Sequence, residues 1–218
     1  MIIEKIKSDG NSKLLLFFAG WAATPEQFAH LQIPEDYDYT ICYDYRSLEF
    51  DYDMTGYEDI VLVAWSLGVW VAEKIIFEYP ANYVKKIAIN GTLSPISDTE
   101  GIPVGIFEAT LRNVTPDGLL RFNRRMYGGK ELFEKYKDSP SRTTDELYDE
   151  LSVLHENISR LQTDMHSVWN KTILSENDRI FPLGNTINAW EGLSRVETID
   201  APHYPFYIWK HWNEITGC

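Results

Sequence analysis

The stretch Ile60-Val61-Leu62-Val63-Ala64-Trp65-Ser66-Leu67-Gly68-Val69-Trp70-Val71-Ala72 decides the fold. Its first four residues are an unbroken apolar run, the pattern of a strand buried on both faces, and from Val69 onward the periodicity is helical. Ser66 stands at the switch. A serine on so sharp a strand-to-helix turn is held with its Oγ exposed, and the following helix directs its N-terminal N–H groups toward developing negative charge. This is the geometry of a nucleophile elbow. A tight elbow asks for glycine two residues before and two after the serine, where the chain packs against itself. Here those residues are Ala64 and Gly68, so Gly68 fits and Ala64 departs. The competing reading is a buried structural serine at an ordinary strand end, and the rest of the chain has to decide between them.

The chain has 218 residues, 44% of them hydrophobic and 24% charged, which suits a single α/β domain with a sizeable core. A net charge of −13 argues against nucleic acid or an anionic membrane as a general partner, because a polyanion is repelled over most of the surface. Met1-Ile2-Ile3-Glu4-Lys5 carries charge within the first residues and leads into no apolar core, so no signal peptide is read. No run approaches the ~20 apolar residues of a membrane span. Cys42, inside a predicted strand, and Cys218, at the terminus, do not suggest a disulfide framework. A cytoplasmic protein is expected.

Ile2 to Lys7 alternates apolar and charged residues like a short edge strand, and Asp9-Gly10-Asn11 supplies a turn, so a hairpin with the next strand is expected. Leu14 to Phe18 is that strand, fully buried, and it runs into Ala19-Gly20-Trp21-Ala22-Ala23. A glycine there lets the main chain approach a substrate carbonyl, and Trp21 would then donate one N–H of an oxyanion hole; the alternative is a plain strand-to-helix loop. Thr24-Pro25-Glu26-Gln27 reads as an N-cap, a Pro at the first helical position and a capping-box Gln, opening a helix to about Leu31. Tyr39 to Tyr43 is the next strand, and beyond it Asp44 and Arg46 are read as a salt bridge rather than catalytic groups. After the elbow come a helix from Val69 to about Tyr79, ended by Pro80, and a buried strand over 84–90. That order is what a parallel sheet requires.

From Thr92 to about Ser167 the strand pattern fades, and Pro95, Gly101-Ile102-Pro103, Gly118 and Gly128-Gly129 punctuate helical segments. The reading is an inserted helical cap over 92–167 within a single domain spanning 1–218. Its expected helices run from Pro103 to Val114, from Pro116 to Met126, and from Ser141 through Leu151, Leu154, Ile158 and Leu161. Caps of this kind enclose an acyl chain and set specificity. Arg121, Arg124 and Arg125, with Arg112 nearby, put a cationic face on an acidic protein: either a solvated helix face or a docking patch for an acidic partner.

Thr172 to Ser175 is a strand, and Asp178 follows just past its end. Val196 to Ile199 is the last strand and delivers Asp200-Ala201-Pro202-His203-Tyr204-Pro205-Phe206. The order Ser66, Asp178, His203 is that of a serine hydrolase triad. Of the five histidines, His30, His155, His166 and His211 fall on predicted helices, which leaves His203 on a strand-end loop. Asp164 precedes its strand and Asp200 is too close to His203 in sequence to reach round the ring. His203 would take the proton of Ser66, Asp178 would hold the imidazole, and the N–H groups of Leu67 and Trp21 would stabilise the oxyanion. No ligand-spaced Cys/His cluster and no Gly-rich phosphate loop is present, so neither a metal nor a cofactor is expected.

Phe17-Phe18-Ala19-Gly20-Trp21, Tyr43-Asp44-Tyr45-Arg46, Ala64-Trp65-Ser66-Leu67-Gly68, Ala201 to Phe206 and the Arg-Arg-Met-Tyr-Gly of Arg124 to Gly128 together resemble the BioG-type pimeloyl-[acyl-carrier protein] methyl ester esterases of biotin synthesis. The similarity runs over nearly the whole chain. It implies an α/β-hydrolase fold and hydrolysis of the methyl ester of pimeloyl-acyl-carrier protein to pimeloyl-acyl-carrier protein and methanol. It also implies that Ser66, Asp178 and His203 match the family triad, that the Trp21 segment matches the oxyanion loop, and that Arg121, Arg124 and Arg125 meet the acidic carrier. Two other readings stay open at this point: another esterase or thioesterase on the same scaffold, and a catalytically silent interaction protein.

Overall fold

The computed structural model describes residues 1–137, 141–160 and 169–217. Strands β1 (Ile2–Lys7), β2 (Lys13–Phe18), β3 (Tyr37–Tyr43), β4 (Asp59–Trp65), β5 (Tyr83–Ile89), β6 (Lys171–Ser175) and β7 (Val196–Ile199) form one sheet in the order β1-β3-β2-β4-β5-β6-β7. Every neighbouring pair is parallel except β1 with β3. Leu14 to Phe18 and Ile60 to Trp65 are at most 1% exposed, as continuous apolar runs must be when helices or loops cover both faces.

The expected hairpin does not form. Asp9-Gly10-Asn11 does turn the chain, with Gly10 at φ 80°, but β3 lies between β1 and β2. The reason is Asp38 on β3. Its Oδ1 accepts hydrogen bonds from the main-chain N–H of Asp9 (3.0 Å) and Asn11 (3.2 Å) and from Asn11 Nδ2 (2.9 Å), which pins the turn across the start of β3 and delivers β2 to its far side. β1, with Glu4, Lys5 and Lys7 among its six residues, suits the edge; β2, apolar from Leu14 to Phe18, needs a partner on each side.

Helix α1 (Gly68–Glu78) packs on β2 and β4. Four helices, α2 (Val104–Arg112), α3 (Pro116–Met126), α4 (Lys130–Tyr136) and α5 (Thr144–Arg160), stand between β5 and β6 among the described residues. Thr115 caps α3 by accepting a hydrogen bond from Gly118 N (3.1 Å), with Pro116 at the first helical position. The short α4 was hidden by Gly128-Gly129: Gly128 (φ 71°) abuts Pro202, and Gly129 is the residue from which α4 starts. Residues 161–167 of the expected insertion, with Leu161, Asp164 and His166, lie outside the described residues. Helix α6 (Leu183–Trp190) lies against β6, and α7 (Trp212–Thr216) closes the described chain.

Two smaller expectations are corrected. The segment after Thr24 is a single 3-10 turn, Pro25–Phe28, rather than a helix to Leu31. Gln27 does reach back to Thr24 N (3.2 Å), but its amide also donates to Tyr127 Oη (3.0 Å), and Phe28 wedges edge-on between Phe17 and Phe206 at 4.8 Å from each, so the turn is tied down before it can propagate. His30 therefore sits in a turn, bonded to the Phe206 carbonyl, and His211 is the residue that caps α7 rather than part of it.

The chain leaves β2 for β3 on one side and returns through β4 on the other. The carboxyl ends of β2 and β4 thus border the point where strand order reverses, where ligands bind in open α/β sheets. Both sequence-nominated loops, at Gly20-Trp21 and Ser66-Leu67, open there.

Candidate active site

Ser66 has φ 59°, the left-handed region that non-glycine residues enter at a cost of about 1–3 kcal/mol. The surroundings impose it. Ser66 N donates to Ile89 O (2.9 Å) at the end of β5, and Val69 N donates to Ser66 O (3.1 Å) as α1 begins. Gly68 is required, but not by Ala64. A Cβ at Gly68 would stand 2.3 Å from the Ala19 carbonyl oxygen and 2.5 Å from that of Phe18, so the end of β2 sets the demand for glycine. Gly91 is equally constrained, its Cβ position being 2.2 Å from the Ser66 carbonyl oxygen.

His203, 1% exposed, brings Nε2 to 2.9 Å from Ser66 Oγ and Nδ1 to 2.7 Å from Asp178 Oδ2. The other carboxylate oxygen of Asp178 accepts hydrogen bonds from the N–H groups of Ile180 (2.7 Å) and Phe181 (2.9 Å), and the Phe181 ring stacks on the imidazole at 5.7 Å. The rival Asp200 bonds Asn177 instead. Two residues that the sequence did not nominate hold this loop. Trp65 Nε1 donates to the His203 carbonyl (2.9 Å). Asn90, buried at the end of β5 with φ 46°, donates to the same carbonyl (2.9 Å) and to Ser175 Oγ (2.7 Å), and accepts from Ser175 N (2.7 Å). Asn90 therefore bonds both the strand that leads to Asp178 and the loop that carries His203. Its only sequence signal is an Asn-Gly pair at a strand end, where asparagine tolerates a left-handed backbone.

The turn after β2 is held from a distance. Trp21 Nε1 donates to the Leu147 carbonyl on α5 (2.9 Å), and Ala22, at φ 63°, donates its N–H to Glu150 Oε2 (3.3 Å). Glu150 Oε1 accepts from Tyr45 N (3.0 Å), and Tyr45 Oη donates to the Ala19 carbonyl (2.7 Å). Arg142 donates to Glu150 Oε2 (2.6 Å) and lies 3.0 Å from Asp44, which Arg46 also grips with two bonds at 2.8 and 2.6 Å. The Asp44–Arg46 salt bridge is thus present, as part of a larger buried network. Burial pushes the Glu150 carboxyl up, against the pull of Arg142. Burial works the same way on Asp44, but hydrogen bonds from Arg46 and the charge of Arg142 outweigh it and hold that carboxyl below its ordinary value. Among the described residues, the main-chain N–H groups of Trp21 and Leu67 have no protein acceptor.

Ser66 and His203 open into a small, largely apolar cavity lined also by Ile106 and Phe107 of α2, Phe122, Arg125 and Met126 of α3, and Leu151 of α5. Its wall continues, through Trp21, Ile106, Thr110, Phe122 and Arg125, into a groove that carries Arg121 and Arg124. Arg121 and Arg124 are exposed, and Arg124 lies over the Phe133 ring at 5.5 Å. Arg125 is half-buried, with its Nε enclosed and unbonded. Arg112 pairs with Glu108. Among the described residues, no group of three or more His, Cys, Asp or Glu side chains is set to hold a metal ion, and no helix is long and apolar enough to cross a membrane.

A hydrogen-bonded serine, histidine and aspartate in series on strand ends, under an apolar cavity with a basic rim, is an arrangement suited to acyl transfer. A family model described as pimeloyl-ACP methyl esterase BioG matches residues 1–215. The chain belongs to the BioG family. A crystal structure of selenomethionine BioG from Haemophilus influenzae superposes with a TM-score of 0.94 at 37% identity, covering 99% of this chain and 100% of that one. A Bacteroides fragilis protein named malonyl-[acyl-carrier protein] O-methyltransferase is 42% identical over 199 residues, 90% of this chain but 40% of that protein, so BioG-like sequence spans under half of its length. An esterase from Exiguobacterium antarcticum, at 15% identity and a TM-score of 0.64 over 94% of this chain and 88% of its own, shares the fold, which is that of the α/β-hydrolases.

Proposed function

We propose that this BioG-family chain is a serine carboxylesterase that hydrolyses the methyl ester of pimeloyl-[acyl-carrier protein] to pimeloyl-[acyl-carrier protein] and methanol, in the cytoplasm, as a step of biotin synthesis. The observation that carries the reading is the continuous series Asp178, His203, Ser66, at 2.7 and 2.9 Å, beneath a cavity whose wall runs out to Arg121, Arg124 and Arg125. Ser66 Oγ attacks the ester carbonyl while His203 Nε2 takes its proton, and the tetrahedral oxyanion is met by the free N–H groups of Trp21 and Leu67. The imidazolium, steadied by Asp178, then protonates the departing methoxide. Methanol leaves an acyl-Ser66, and water activated by His203 hydrolyses it. Segment 92–167 acts as the cap: its apolar residues receive the acyl chain, and its arginines face the acidic carrier. The Bacteroides relative supports the reading, since a methyl ester on a carrier-bound acid is what an O-methyltransferase of that name makes and what an esterase removes.

The test compares carrier-linked pimeloyl methyl ester with a short p-nitrophenyl ester. The expected result is rapid demethylation that is lost in Ser66→Ala. In Arg121→Ala/Arg124→Ala, kcat/KM should fall roughly 10-fold for the carrier substrate, more so at low salt, and hold steady for the short ester. Turnover of the short ester alone would remove the carrier assignment and leave a small-ester esterase or thioesterase.

A further inference from the structure

Resting on the reading above, we propose that Glu150 is a positioning residue for the oxyanion turn, so that helix α5 sets the orientation of the Trp21 N–H. The turn Ala19-Gly20-Trp21-Ala22 lies at the end of β2, yet three of its fixings come from elsewhere. At its start, the Ala19 carbonyl is held by Tyr45 Oη, and Tyr45 N is bonded to Glu150 Oε1. At its end, the N–H of Ala22, a residue in the left-handed region, is bonded to Glu150 Oε2. Between them, the Trp21 indole is bonded to Leu147 O, one turn before Glu150 on the same buried face of α5.

One carboxylate thus reaches both ends of a four-residue turn, directly at Ala22 and through Tyr45 at Ala19. It is 0% exposed, and Arg142, in the segment that leads into α5, supplies its counter-charge. A packing role would be served more cheaply by an apolar side chain of the same volume, because taking a carboxylate and a guanidinium out of water costs several kcal/mol per ion before their attraction returns any of it. What an apolar residue cannot do is accept two main-chain N–H groups at fixed angles. The same face of α5 places Leu151 in the cavity wall over Ser66. The element that lines the acyl site therefore also orients the groups around the reacting carbonyl.

Glu150→Gln keeps one acceptor oxygen; Glu150→Leu/Arg142→Leu removes both charges together, so that no unpaired ion is left to unfold the protein. Each is assayed with the short p-nitrophenyl ester, beside wild type and Ser66→Ala, and for binding of a trifluoromethyl ketone, whose hemiketal oxyanion uses the same N–H groups. For the double variant, kcat should fall about 10²–10³-fold, the loss typical of one oxyanion donor, with KM within about twofold and trifluoromethyl ketone affinity falling in proportion. Glu150→Gln should recover at least tenfold of that loss. A folded double variant with undiminished kcat, or one that loses rate through KM while ketone affinity is unchanged, would overturn the inference and leave the esterase reading intact. A wild type that turns over no ester would sink the esterase reading and this inference with it.

Discussion

The Ser66 turn and the Trp21-Ala22 turn occupy neighbouring strand ends and are secured in different ways. Ser66 is fixed by residues near it in sequence or on adjacent strands: Gly68 against the end of β2, Gly91 against its own carbonyl, and Ile89 as acceptor of its N–H. The Trp21-Ala22 turn is fixed by the Leu147 carbonyl and the Glu150 carboxylate, 126 and 128 positions away, with Tyr45, just past the end of β3, holding Ala19 before it. The sheet and the first turn of α1 build the serine. The Trp21 turn depends on the helices laid over it, so a change in how α5 sits reaches that turn before it reaches Ser66.

The strongest way to break this contrast from the sheet side is Gly68→Ala. The added Cβ meets two main-chain carbonyl oxygens, which cannot rotate away, so either the elbow or β2 must shift. Activity should fall by about 10², as for a displacement of roughly 1 Å at a reacting atom, with a stability loss of about 1–3 kcal/mol in urea titrations. Ala64, whose identity the elbow pattern questioned, should tolerate Ala64→Gly with little change in rate, because the glycine requirement comes from Phe18 and Ala19.

Asn90→Ala probes the histidine side. It strips a hydrogen-bond partner from the buried Ser175 N–H and from the His203 carbonyl while leaving the side chains of Ser66, Asp178 and His203 unchanged. We expect a loss of about 1–3 kcal/mol in stability and roughly 10-fold in kcat, with fluorophosphonate labelling of Ser66 slowed but retained. A variant that loses stability and keeps full kcat would make Asn90 a purely structural group.

The smallest effect sharpens the electrostatic difference within the network. Asp44 is held below its ordinary value, so more protons are bound in the unfolded chain than in the folded one across that window; its contribution is present above the ordinary carboxylate range and is lost as pH falls through the folded value. Glu150 is pushed up, so its ionisation opposes folding as pH rises above the ordinary range. Thermal melts should therefore show a shallower acid loss in Asp44→Asn and a shallower loss toward neutral pH in Glu150→Gln.

Much of the scaffold was legible in the sequence because it is locally encoded. Continuous apolar runs identified β2, β4 and β5, and the switch of periodicity at Ser66 located the elbow. The positions of Asp178 and His203 just past strand ends were readable for the same reason, and the structure brings both within hydrogen-bond distance in series with Ser66. What escaped is what depends on distant partners. Asp9-Gly10-Asn11 has the same turn chemistry whether or not the next strand pairs with the last, and the bonds that tie it to β3 come from the distant Asp38. Thr24 to Gln27 carries helix-start signals, but tertiary bonds to Tyr127 and aromatic packing of Phe28 arrest it at one turn. Glu150 lies in an ordinary amphipathic helical pattern and Arg142 just before it, where charged residues read as solvated, and nothing local marks them as a buried pair that serves a strand-end turn.

The most direct measurement is intact-protein and peptide mass spectrometry after reaction with a fluorophosphonate. The account predicts a single adduct on Ser66, absent in Ser66→Ala and formed at least about 10³-fold more slowly in His203→Ala. An adduct on another residue, or ester hydrolysis that persists in Ser66→Ala, would contradict it.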